Sequence, residues 1–93
     1  MERINEHVLQ ILRERINELT GAPASPHKCY DPKVIHNVGH YVITCNYAGK
    51  RTLARFSNEK GELDYPLGQT YHTMSELAEI LRGFIAGLEA AND

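Results

Sequence analysis

This chain carries no signature of a disulfide framework, a membrane span or a common catalytic motif. Two cysteines among 93 residues are too few for a disulfide scaffold, since a domain this small that depended on disulfides would carry more. No apolar run approaches the roughly 20 residues that cross a bilayer. The start, Met1-Glu2-Arg3-Ile4, lacks the basic-then-apolar order of a secretory signal. These absences predict a cytoplasmic protein with no membrane partner. No GxSxG, P-loop, GxGxxG or HExxH occurs, no cysteines have CxxC spacing, and there is no repeat or low-complexity tract. Each of those motifs places a nucleophile, a phosphate cradle or a metal ligand at a fixed offset. The expectation is a protein that is not an enzyme and holds no cofactor.

What is present is an ordinary balance of apolar and charged residues. Residues 1–93 read as one domain, with room for a two-layer core and a net stability of about 5 to 14 kcal/mol. The formal charge of −2 is unevenly spread. Residues 21–60 hold Lys28, Lys33, Lys50, Arg51, Arg55 and Lys60 against Asp31 and Glu59, whereas residues 61–93 hold six acids against Arg82. Such asymmetry steers a charged partner or favours association between unlike ends.

The clearest local pattern runs from Tyr41 to Phe56. Tyr41, Ile43, Cys45 and Tyr47 alternate with Val42, Thr44 and Asn46, the period of a strand with one face to a core. Cys45 is expected to pack there as a small hydrophobe. Gly49 supplies a tight turn. A two-residue turn at Gly49-Lys50 sets Ile43 opposite Phe56 and Cys45 opposite Ala54, one at Ala48-Gly49 keeps the same faces, and either leaves Thr44, Asn46, Arg51, Leu53 and Arg55 on the outer face. A three-residue loop would turn Leu53 inward and Phe56 outward, and the two-residue turn is preferred.

On either side the chain reads as helices. Ile4, Val8, Ile11, Leu12, Ile16 and Leu19 form an apolar stripe that ends at Gly21, with Pro23 and Pro26 just beyond, as expected past a helix C-terminus. Thr73 and Glu76 have capping-box spacing, opening a helix from Met74 to about Ala90 whose stripe is Leu77, Ile80, Leu81, Phe84, Ile85 and Leu88. A third strand is expected over Glu62–Tyr65, ended by Pro66. For residues 27–40 a helical turn or irregular structure is favoured, with Asp31-Pro32 as its start. The competing reading makes Lys33–His36 an edge strand joined to Tyr41 by a turn at Asn37–Gly39. The fold class is therefore α+β, a two-layer sandwich of α-β-β-β-α order with a three-stranded antiparallel meander packed against two helices.

Candidate sites follow from these placements. The outer sheet face, with Thr44, Asn46, Lys50, Arg51, Leu53 and Arg55, has the mixed apolar and arginine-bearing make-up of a protein interface, and its basic turn suits an acidic protein partner. Gly83 and Gly87 lie one turn apart in the last helix. They point either to close packing on the sheet or first helix, or to a self-association face in a homodimer. His27, Cys29, His36 and His40 are zinc-type donors in the pattern HxCx6Hx3H, though structural zinc sites usually pair close cysteines. The function expected is a small adaptor, regulatory subunit or inhibitor acting by protein contact. The alternative is a nucleic-acid-binding module using Lys50, Arg51 and Arg55 against phosphates. Helix, three strands, helix is also the element order of double-stranded RNA-binding domains, but their basic cluster at the start of the last helix is replaced here by Thr73-Met74-Ser75-Glu76.

Overall fold

Both helices carry their own start and stop signals. A computed structural model describes residues 4–30 and 33–92, and for residues 28–30, 33 and 34 it describes the backbone alone. Helix α1, Glu6–Thr20, begins where the Asn5 side chain accepts the Val8 amide, and ends at Gly21, whose φ of 71° is the left-handed value glycine adopts without strain. Helix α2, Met74–Ala91, opens with both capping-box bonds. Thr73 accepts the Glu76 amide at 3.2 Å and Glu76 accepts the Thr73 amide at 3.0 Å. Hydrogen bonds from the Thr73 amide and hydroxyl hold the Glu76 carboxyl below its usual range.

The meander consists of β3, Tyr41–Cys45, β4, Arg51–Phe56, and β5, Leu63–Asp64, in that spatial order and antiparallel throughout. One of its faces meets both helices. Leu9 and Ile16 of α1, Leu77, Ala78, Leu81 and Ile85 of α2, and Tyr41 and Leu53 of the sheet form a single buried cluster. This is the α+β architecture the hydrophobic pattern implies. In α1 the buried side is rotated from the expected stripe: Leu9 is fully buried, while Ile11 is half exposed.

The register differs from the expected one. Ile43 pairs with Leu53, Thr44 with Thr52 and Cys45 with Arg51, which leaves the three-residue loop Tyr47-Ala48-Gly49. Asn46 is the reason. Its carbonyl accepts the Gly49 amide at 3.0 Å, closing a four-residue turn, and its side-chain oxygen accepts the amides of Ala48 and Lys50 at 3.0 Å each. Asn at the first position and Gly at the fourth suit a type I turn, and Gly49, with φ of 80°, takes the left-handed residue that follows. A two-residue hairpin turn of type I′ would force a non-glycine residue to positive φ, and no described non-glycine residue has one. The consequence is that Leu53 faces the helices and is fully buried, while Cys45 is exposed at the strand end.

Phe56 lies on the reverse face yet is buried there too, because a second hairpin covers it. Strand β1, His27–Tyr30, pairs antiparallel with β2, Lys33–His36. Two paired strands, not a helical turn, therefore occupy His27–Tyr30 and Lys33–His36; Lys33–His36 is a strand followed by a turn before Tyr41, as the competing reading has it, and its partner is His27–Tyr30. The joining Asp31 and Pro32 fall outside the described residues. Val34-Ile35 in the sequence favours a strand. The hairpin is tied down by backbone bonds from Asn37 to Pro26, from His36 to Glu59 and from Gly39 to Phe56.

Candidate functional site: the open edge of β3 and the Tyr47 loop

Strand β3 is an edge of the meander. The bonds from Asn46 to Lys50 and from Phe56 to His40 define which residues face β4. By the alternation of an antiparallel ladder, the backbone groups of Tyr41, Ile43 and Cys45 face the open side. Tyr41 is satisfied there by α1: the Asn17 side chain accepts its amide at 2.8 Å and donates to its carbonyl at 3.3 Å. Ile43 and Cys45 have no such partner among the described residues. They present two unpaired rungs, the feature by which an edge strand accepts another strand.

Beside this edge runs a groove of about 270 Å³ lined by Gln10 and Arg13 of α1, Ala24 and Pro26 of the following loop, and His40, Val42 and Ile43. Arg13 is held in place by Gln10 at 2.7 Å and by His40. His40 is buried. Its Nδ1–H donates to the Pro23 carbonyl at 2.6 Å and its Nε2 accepts from Arg13 at 3.4 Å. Burial, then the Arg13 charge, lower its pKa against the opposing pull of the Pro23 bond. At the other end of the edge stands Tyr47, fully exposed on a loop braced by Asn46. The alternation of apolar residues places Tyr47 on the inner face; the three-residue loop takes it out of the strand.

The expected outer-face residues do not form one surface. Leu53 belongs to the core, which removes it from any contact surface. Arg51 pairs with Glu6 of α1 and donates to the Gly49 carbonyl at 2.7 Å. Arg55 grips Asp64 with two bonds, at 2.8 and 3.3 Å, and lies 6.0 Å from the centre of the Tyr41 ring. Asp64 holds its pKa above the usual arginine value. Both guanidiniums thus brace the fold. Asn46 is the turn brace, and Thr44 is half-buried with a hydroxyl that is buried and unpartnered, as is that of Thr52 opposite. Lys50 remains exposed, close enough to help hold the Glu76 carboxyl low.

Gly83 and Gly87 are exposed, and a β-carbon on either would meet nothing within 4 Å. Close packing on the sheet or on α1 therefore does not explain them. Of the zinc-type donors, His40 has both ring nitrogens engaged, His27 and His36 stand opposite each other across β1–β2, and the Cys29 side chain lies outside the described residues. No group of three or more histidine, cysteine or acidic side chains suited to a metal occurs among the described residues. Nor is any described helix long and apolar enough to cross a membrane.

Asn17 and Tyr47 are the two residues that pattern reading misses. An asparagine on the apolar side of a helix signals a specific buried bond, and Asn-x-x-Gly signals the turn that exposes the tyrosine. Comparison with known proteins adds no family, because no family model, curated protein or solved structure matches the chain.

Proposed function

We propose that the protein is a non-catalytic protein-interaction module that receives an extended segment of a partner along β3, with Tyr47 as the anchoring aromatic. The pair of unpaired rungs at Ile43 and Cys45 carries this reading. Main-chain bonds would supply affinity and the adjoining groove would receive alternate side chains of the added strand. Exposed tyrosine on a rigid loop is a common source of binding energy at interfaces. Lys50 and the Arg13-lined groove favour an acidic residue in the incoming segment. The internal engagement of Arg51 and Arg55 leaves less basic surface for phosphate neutralisation than the nucleic-acid alternative requires.

The test uses two variants that spare the core. In Cys45→Pro the strand keeps its ladder to β4, because the Cys45 amide faces the open edge, but one edge donor is removed. In Tyr47→Ala the loop brace is untouched. Affinity capture from cells that express the protein, read by quantitative mass spectrometry, should yield a partner that both folded variants lose. Retention of every captured protein by both variants would refute strand addition at this edge.

A further inference from the structure

His27 and His36 are direct cross-strand partners in the β1–β2 hairpin, and their ring centres are 4.7 Å apart in an edge-to-face arrangement. Directly opposed residues of antiparallel strands hold their β-carbons within about 4.5 to 5.5 Å, so neither ring needs the backbone to move to reach the other. Two imidazole nitrogens on one tetrahedral ion, each at about 2.0 to 2.1 Å, are separated by about 3.3 Å. Rings with centres 4.7 Å apart reach that separation when a nitrogen of each turns toward the other.

The chemistry around each ring suits this. The Glu59 carbonyl accepts both the backbone amide of His36, at 3.1 Å, and its Nδ1–H, at 3.3 Å. That bond fixes the tautomer with the lone pair on Nε2, the second-shell pattern of metal-bound histidine. Gly61 packs against the same ring: a β-carbon there would stand 2.8 Å from Cε1 and 3.0 Å from each nitrogen, so only glycine lets the imidazole lie in this position. His27 is exposed and makes no hydrogen bond through its ring among the described residues, so both of its nitrogens are available to a ligand. His40 is no third ligand, since Pro23 and Arg13 occupy its nitrogens.

We propose that His27 and His36 form a two-imidazole chelate for a divalent transition metal, with zinc as the probe, clamping the base of the β1–β2 hairpin over Phe56. Solvent or a donor from outside the pair completes the coordination shell. Imidazole is a good ligand for zinc, copper and nickel, so the class of ion follows from the donor type. This inference is independent of the β3 edge.

The test is calorimetric titration of the full, tag-free chain with zinc chloride near neutral pH, alongside histidine ring NMR. One site is expected. His27→Gln should weaken it at least about tenfold, as loss of half the chelate requires, and sub-stoichiometric zinc should shift the His27 and His36 rings before those of His7 and His72. His36→Gln should weaken binding similarly, but because His36 packs against Phe56 the exposed His27 variant is the deciding one. Absence of binding, unchanged affinity in His27→Gln, or equal perturbation of His7 and His72 would each overturn the proposal.

Discussion

Asn17 stands toward Tyr41 as a neighbouring strand would. Its amide oxygen takes the Tyr41 N–H and its amide nitrogen gives to the Tyr41 carbonyl, so one side chain of α1 replaces a full rung of ladder. Asn17 and Tyr41 are both buried, and buried backbone groups without partners are strongly disfavoured. The same contact fixes α1 against β3 and ends the usable edge at Ile43.

Asn17→Ala should therefore destabilise the fold by about 2 to 4 kcal/mol, since it strands two buried polar groups at about 1 to 3 kcal/mol each. Asn17→Asp should do more harm, because a carboxylate still accepts the amide but repels the carbonyl. Urea unfolding followed by circular dichroism measures both. A loss below about 1 kcal/mol in Asn17→Ala would mean that water replaces the asparagine and the edge is open along its whole length.

The parts of this fold legible in the sequence are those with local, redundant signals. The Thr73–Glu76 box and the apolar spacing agree on where α2 lies, and Gly21 marks the end of α1. The β3–β4 strands were equally plain, but their register depended on whether Gly49 closed a two-residue turn or followed a turn begun by Asn46. Period-two patterns flip face with a one-residue change in loop length, so that choice exchanged Leu53 and Phe56. Phe56 is apolar on the reverse face because β1–β2 covers it, and this hairpin is built from His27, Lys28, Lys33 and His36 as much as from apolar residues. Its pairing rests on backbone bonds and on the rings around Phe56, which leave little trace in hydropathy.

Glycine positions separate sharply. Gly61 has a φ of 90°, and a β-carbon there would press to 2.8 Å from His36 Cε1. Gly61→Ala should cost about 2 kcal/mol or more, combining the strain of positive φ with displacement of the imidazole. Gly83→Ala and Gly87→Ala meet nothing and should each stabilise α2 by about 0.5 to 1 kcal/mol. Thermal unfolding at two protein concentrations resolves these effects. If Gly83 and Gly87 form a self-association face, the alanine variants should gain monomer stability but lose dimer in sedimentation experiments.

Thr44 and Thr52 face each other across β3–β4 with hydroxyls that are buried and unpartnered. A buried hydroxyl without a bond is destabilising relative to a methyl of the same shape. Thr52→Val should raise stability by about 1 kcal/mol, read as a higher urea midpoint at constant slope. A loss of similar size would show that the hydroxyls bond to each other or to an ordered water in solution.

His40 links the groove to acid sensitivity. Its neutral form satisfies every contact it makes: Nδ1–H gives to Pro23, and Nε2 takes from Arg13. Protonation would turn Nε2 into a donor facing a guanidinium. Burial lowers the pKa first, with the Arg13 and His27 charges adding to it and the Pro23 bond opposing, while the stacked Phe56 ring offers no compensating charge. Because the folded value lies below the ordinary value of about 6.5, the unfolded chain takes up the proton first as pH falls. The contribution of His40 is thus complete above about pH 6.5 and declines on acidification until the folded value is passed. Unfolding free energies measured across this range should fall toward acid pH, less steeply in His40→Gln, and the His40 ring should titrate below an ordinary histidine by NMR. A His40 midpoint at or above the ordinary value would show that Arg13 has swung away from the ring and that the groove beside β3 is open to solvent.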